Sequence, residues 1–383
     1  MRETARAQPA LKFTSLLHHV TEDLLTRAFF DLKKDAAVGI DDVTWRDYEQ
    51  GLAERIADLH GRVHRGAYRA KPSKRIYIAR PDGRQRPIGI AALEDKIVQK
   101  AVGRVLECIY EQDLLGFSDG FRPEKSQHNA LDALSVDLTS KPVNWVLDAD
   151  VAGFFDEIDH EWLMRFLEHR IADKRILRLI RRCCVLKRGL RAGVSEDGEW
   201  SRTTVGTPQG AVLFALRRKS ANGAPLLANV YLHYVLDLWI QWWRKQCRGE
   251  VVVIRFADDF VIGFERKDDA DRCLLELRER FTKFGLRLHD TKTRLIEFGR
   301  SAATRRTLVG QLAAKVVRRR STFWVSPIAA ARPAHMAGSP SIVRRSPGDC
   351  ERLWRCSTRN FGSDVTGPWG RWAAGCVASC RAG

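Results

Sequence analysis

One stretch constrains the chain more than any other: Val251-Val252-Val253-Ile254-Arg255-Phe256-Ala257-Asp258-Asp259-Phe260-Val261-Ile262-Gly263-Phe264. β-Branched and aromatic residues run up to two adjacent aspartates and resume directly after them. Such a run reads as strand, turn, strand, with Asp258 and Asp259 at the tip of a buried hairpin. Two buried carboxylates side by side repel each other and lose hydration, which is costly if they stay unpaired. Divalent cations held by carboxylate oxygens would offset that cost. On this stretch alone, a solvated Asp-Asp turn serves as well.

A second aspartate-bearing strand bears on the choice. Val143-Asn144-Trp145-Val146-Leu147-Asp148-Ala149-Asp150-Val151 predicts a strand that ends in carboxylates. Gly153-Phe154-Phe155-Asp156-Glu157-Ile158-Asp159-His160 then turns into a helix through Trp162, Leu163 and Phe166. Asp150 thereby becomes a third candidate ligand, remote in sequence from Asp258 and Asp259. Two metal ions ~4 Å apart in such a site can activate a hydroxyl and stabilise a leaving pyrophosphate.

The 383 residues are 44% hydrophobic, enough for a large core in two or three domains. The formal charge of +18 favours a polyanionic partner, most often nucleic acid. After Arg300 there are 14 Lys and Arg against 3 Asp and Glu, a net of +11, which leaves +7 for the first 300 residues. The opening Met1-Arg2-Glu3-Thr4 is polar and no apolar run is long enough to span a bilayer, so neither a secretory signal nor a membrane partner is expected. Nine cysteines without a regular framework suit a reducing cytoplasm. Cys350, Cys356, Cys376 and Cys380 lack the paired spacing of a zinc site.

In chain order, residues 12–62 read as helices, with Leu16, Leu17, Val20, Leu24, Leu25, Phe29 and Phe30 at helical spacing. Thr44 is the expected N-cap of a helix running through Leu52 and Ile56. From Lys71 to Ile90 a strand, a Pro-Asp-Gly turn and a second strand follow, with Arg80 and Arg86 flanking the turn. Their guanidinium groups could close over phosphates, or the hairpin is merely solvated. The helix from Leu93 to Tyr110 places Lys96 and Lys100 on its polar side. A glycine-punctuated loop, 116–123, precedes another helix, and Gly206-Thr207-Pro208-Gln209-Gly210 is a tight loop. Helices are expected over Pro225–His233 and Ala270–Phe284, then a strand and basic turn from Gly285 to Arg294.

The ordered strings RPDGRQRPIGI (80–90), ALEDKIVQKAV (92–102), GFRPEKSQHNAL (120–131), DADVAGFFDEIDHEWL (148–163), GTPQG (206–210), PLLANVYLH (225–233), RFADDFVIGF (255–264) and GLRLHDTKTRLIEF (285–298) resemble the reverse transcriptases encoded by bacterial group II introns. The resemblance runs from about Leu16 to Gly299. It implies an α+β right-hand polymerase with fingers, an antiparallel palm sheet and RNA-directed DNA synthesis. It divides the chain into an N-terminal helical extension (1–62), fingers (63–142) and palm (143–299). It matches Asp150, Asp258 and Asp259 to the palm's metal-binding aspartates, which hold two Mg2+ ions, with Mn2+ as a substitute. Arg80 and Arg86 match basic positions that hold the incoming triphosphate. Phe155 matches the aromatic residue beneath the sugar that excludes a ribose 2′-hydroxyl, and Gln209 the loop residue beside the nucleotide. Lys292 matches the lysine proposed to protonate pyrophosphate. The implied partners are a group II intron RNA template, a DNA primer and deoxynucleoside triphosphates.

The chain departs from the family's usual residues at Arg80 (Lys), Phe256 (Tyr), Asp42 (Gly) and Asp119 (Tyr). Asp119 is expected to add an unwelcome charge near the nucleic-acid path. Residues 214–224 intervene where the glutamine loop normally runs almost directly into PLLAN. Beyond Gly299 the apolar periodicity fails, and Arg, Ala, Ser, Pro and Gly crowd 318–347 where a helical thumb would follow. Residues 300–383 read as a disordered basic tail, a divergent thumb, or the product of a frameshift. One choice of codons for 323–328, read two bases out of phase, spells Leu-Gly-Phe-Thr-His, as the family does near that point. The alternative to a working polymerase is a catalytically decayed protein that binds intron RNA.

Overall fold

The computed structural model describes residues 1–79, 85–184, 191–194, 200–202 and 226–298. Arg80, Gln209, the insertion 214–224 and everything from Gly299 onward lie outside the described residues. The N-terminal half comprises α1 (Arg2–Ala7), α2 (Glu22–Phe30), α3 (Trp45–Glu49), α4 (Leu52–His64), β1 (Lys74–Ala79), β2 (Gln85–Ile90), α5 (Leu93–Tyr110) and α6 (Gln127–Ser140). There follow β3 (Trp145–Asp150), α7 (Phe154–Glu157), α8 (His160–Glu168), α9 (Lys174–Cys184), β4 (Arg191–Val194) and β5 (Trp200–Arg202). The last group is α10 (Leu226–Leu232), a π-helical segment (His233–Asp237), α11 (Leu238–Trp243), β6 (Val251–Phe256), β7 (Asp259–Phe264), α12 (Lys267–Lys283) and β8 (Arg294–Glu297).

The helices begin where the sequence supplies caps. The Thr21 hydroxyl accepts the Leu24 N–H at 3.1 Å, and Glu22 and Asp23 complement the positive end of α2. Thr44 and Asp47 form a reciprocal capping box at α3. The single helix expected from Thr44 is two, because Gly51 takes a left-handed conformation (φ 75°) that ends α3 and opens α4. The helical reading of 12–21 also fails: those residues are loop with one 3-10 turn, Leu17–His19. Their backbone is held from afar, since Asp173 Oδ2 accepts the N–H groups of Leu16 and Leu17. Asp42 sits at φ 50°, a conformation that favours glycine, which accounts for the glycine usual there in the resembling family.

Helix α5 runs through the core and is buried nearly all round. Lys100, expected on a polar side, is therefore buried, and burial lowers its pKa. Asp95 on the same helix is buried too. It accepts hydrogen bonds from the Tyr68 hydroxyl and, at 2.9 Å, from the Lys71 N–H. Burial raises it to about 6.

Two four-stranded sheets form, with orders β2-β1-β4-β5 and β6-β7-β3-β8. In the second, every pairing is antiparallel. Alternation explains why β6 reads as a continuous apolar run. Val251 and Val253 join the main core with α12, whereas Val252, Ile254 and Phe256 pack in a second cluster with Ala130, Leu134 and Leu138 of α6. A strand covered on both faces needs apolar residues at both parities. Among the described residues no helix is long and apolar enough to cross a membrane.

Candidate active site

Sheet register brings the aspartates together. In the β3–β7 ladder Asp150 stands opposite Asp259, and in the β6–β7 ladder Asp259 stands opposite Phe256. Ala257 and Asp258 thus make the turn between β6 and β7. A turn this short between twisted strands favours positive φ, and Ala257 adopts it at 59°. Asp150, Asp258 and Asp259, drawn from two regions of the sequence, therefore meet at one end of the sheet.

Lys292 joins them: its Nζ donates to Asp150 Oδ2 at 2.5 Å. The loop that carries it is anchored by the same aspartate's backbone, because the Asp150 carbonyl accepts the His289 N–H at 2.8 Å. The strand expected within 285–294 is a single bridge, Val151 to Leu288, and the regular strand β8 begins only at Arg294. Phe155 is buried in α7, just beyond the turn out of β3, with its ring edge-on to Phe154 at 5.1 Å. Gly153 opens α7 at φ 52°. Arg86 lies in the other sheet, its backbone opposite Ile78.

The electrostatics mark the site. Burial pushes Asp259 well above the usual carboxylate range, and Asp258, Asp150 and Asp148 push it further against the pull of Lys292. Asp148 is raised to about 6 by burial and by Asp150, with Arg294 opposing. Asp148 is the member that sequence reasoning left out. Its signal was the period of two: residues 148 and 150 of one strand share a face. The charge expected to intrude at Asp119 does not. That side chain is buried and ion-paired to Lys125 Nζ at 3.0 Å.

The donor set is all carboxylate, which suits hard divalent cations. The charge balance suits them as well, since Lys292 and Arg294 face four carboxylates. Among the described residues no three His, Cys, Asp or Glu side chains already close round one point. Lys292 instead occupies Asp150.

The sequence matches the family described as "Reverse transcriptase (RNA-dependent DNA polymerase)" over residues 74–323, well over half of the chain. The chain belongs to this family. Protein YkfC of Escherichia coli (strain K12) is 32% identical over 291 residues, covering 67% of this chain and 72% of that protein. The group II intron-encoded protein LtrA of Lactococcus lactis subsp. cremoris is 34% identical over 197 residues, covering 50% of this chain and 30% of LtrA. An uncharacterized 91 kDa protein in the cob intron of Schizosaccharomyces pombe is 36% identical over 170 residues, 44% of this chain and 19% of that protein. The chain thus spans most of YkfC and under a third of LtrA. Reverse transcriptases of group II intron type are what the motif strings resemble, and intron-encoded proteins are among the relatives found.

Proposed function

We propose that this chain is an RNA-directed DNA polymerase of group II intron type, which extends a DNA primer on an RNA template with deoxynucleoside triphosphates. The register that sets Asp150 opposite Asp259, beside Asp258, is the observation that carries this reading. Asp150, Asp258 and Asp259 are the residues that would hold two Mg2+ ions, or Mn2+ in their place. Bound there, the ions supply positive charge against the transferring phosphoryl group. Lys292, which donates to Asp150, gives its proton to pyrophosphate and leaves the carboxylate free. The ring of Phe155 excludes a 2′-hydroxyl. Arg80, Arg86 and Gln209 hold the triphosphate, and a group II intron RNA is the template.

Primer extension on an RNA template tests the proposal. The full chain extends the primer, and Asp258→Ala loses about 10²–10³-fold in rate, the scale of deleting one electrostatic partner of a transition state. Extension that survives Asp258→Ala sinks the metal assignment. Tight RNA binding with no extension by the unaltered chain favours the alternative of a decayed RNA-binding protein. The division at 62, 142 and 299, and a frameshift beyond Gly299, form part of the same proposal. The nucleotide sequence decides the latter: an alternative frame without thumb-like helices overturns it.

A further inference from the structure

Arg255 stands three residues before Asp258 and is wholly buried. A guanidinium has five N–H donors and no acceptor. Here all five are used. Nε donates to Asp237 Oδ1 at 2.7 Å, and one terminal nitrogen to Asp237 Oδ2 at 2.6 Å and Ser118 Oγ at 2.5 Å. The other donates to Asn229 Oδ1 at 3.0 Å and to the carbonyl of Ala257 at 2.9 Å. That last acceptor is the turn residue held at positive φ. A non-glycine residue in this conformation persists only where its surroundings impose it.

The surroundings are themselves tied together. Asn229 Nδ2 donates to the Gly120 carbonyl at 2.7 Å. A Cβ on Gly120 would fall 2.0 Å from the Ala257 nitrogen, so the loop seats directly on the turn. The Arg255 N–H donates to the Phe117 carbonyl at 2.8 Å, and the Asp119 N–H to the Arg255 carbonyl at 2.9 Å. Burial alone would raise Asp237, but Arg255 and His233 hold it below the ordinary carboxylate value. Asp237 closes the π-helical segment, a rare form that concentrates at functional sites.

We propose that Arg255 is the positioning residue of this site: its guanidinium, locked to Asp237, Asn229 and Ser118, holds the Ala257 carbonyl and thereby sets where Asp258 and Asp259 stand relative to Asp150. The role of those aspartates rests on the function proposed above. The lock on the turn does not. Lysine keeps the charge but offers three donors from one point, and cannot reach five acceptors in a plane.

The test uses the full chain, Arg255→Lys and the double variant Arg255→Met/Asp237→Leu. The double removes both buried charges together, which spares the fold the penalty of a lone charge. Thermal melting, Mn2+ binding followed by electron paramagnetic resonance, primer-extension kinetics and hydrogen exchange over 256–260 are measured on each. We expect the double variant to melt near the unaltered chain, yet bind Mn2+ at least about tenfold more weakly. Its kcat falls about 100-fold, the scale of a misplacement of ~1 Å, with KM for the nucleotide little changed. Arg255→Lys shows the same split and faster exchange at the turn. A folded variant with unaltered Mn2+ binding, kcat and exchange reduces Arg255 to packing and overturns the inference. Should the double variant not fold, Arg255→Lys with unaltered exchange and Mn2+ binding does the same. If the unaltered chain neither binds Mn2+ through Asp258 nor extends primers, the proposed function fails. Exchange at the turn in Arg255→Lys then still decides the lock.

Discussion

Each of the two sheets has an antiparallel hairpin at one end, β1–β2 in the first and β6–β7 in the second, and the two differ in almost every physical respect. The β6–β7 hairpin turns in two residues and is covered on both faces. The β1–β2 hairpin has residues 80–84 between its strands and leaves Tyr77 and Ile78 about half exposed, at 53% and 48%. A hairpin packed on both faces holds its tip carboxylates in place through register, turn and neighbours together. Tyr77 and Ile78 are consecutive in β1 and so point to opposite faces, and the β1–β2 hairpin is half open on both. Under the proposed function the aspartates must stay within fractions of an ångström, and packing on both faces is what supplies that rigidity.

The largest expected effect widens this contrast. Phe260 is almost wholly buried in β7 and meets Phe281 of α12 edge-on at 6.1 Å. Phe260→Ala should cost about 3–5 kcal/mol of unfolding free energy, the usual penalty for emptying a core aromatic site. Ile78→Ala in β1 should change it by no more than about 0.5 kcal/mol. Urea denaturation of the two variants compares them directly. Equal losses would mean that the β1 face is covered in solution.

The next effect lies in the helical core beside the first sheet and depends on pH. Asp95 has a folded pKa of about 6, raised by burial with Glu94 and Asp41 adding, and opposed by hydrogen bonds from Tyr68 and the Lys71 N–H. Its unfolded value is near 3.9. The folded state therefore holds the proton more tightly. The stability Asp95 contributes is complete below about pH 4 and is lost as pH rises through about 6, by about 2–3 kcal/mol. Asp95→Asn should flatten that part of the stability profile. A fall of unaltered slope in the variant would assign it to other groups.

How much of this was legible in the sequence follows the same division. The paired strands of the second sheet were readable because apolar residues bounded by aspartates allow few other arrangements. The cap residue Thr44 was equally plain. Asp148 ends no strand and lacks that signal, although strand period places it beside Asp150. The burial of Lys100 was not readable: it depends on how many elements pack around α5, and helical spacing counts only one side. The stretch 12–21 looked helical because Leu16, Leu17 and Val20 are spaced for burial, while the long-range hydrogen bonds to Asp173 that shape it leave no local trace. Arg255 stands as one charge in an apolar run, since the four residues that supply its five acceptors come from separate segments of chain.

A smaller effect sharpens the comparison from the side of substrate choice. Phe155 is buried and braced by Phe154, on an element that follows directly from the aspartate-bearing strand. A ring fixed that way cannot swing aside for an added hydroxyl. Phe155→Ala should raise ribonucleotide incorporation by about tenfold relative to deoxynucleotides, the scale on which one group is sorted by a shaped pocket. Steady-state kinetics with both nucleotide classes measure this, and an unchanged ratio would remove the role.

The smallest effect runs against intuition, and it asks whether the rigid hairpin is strained for use. Asp259 is buried among Asp258, Asp150 and Asp148 with Lys292 as its near cation, so its ionised form opposes the fold. Asn has the same shape and no charge. Without metal, Asp259→Asn should relieve repulsion of about 1 kcal/mol and raise the melting temperature by about 2–4 °C. The same variant should lose primer extension, the trade expected where a site keeps charges that folding alone would discard. Melting curves in a chelating buffer decide it. A variant that melts lower than the unaltered chain would show that Lys292 and the nearby hydrogen bonds already balance the cluster, and that the β6–β7 hairpin carries no more strain than its counterpart in the first sheet.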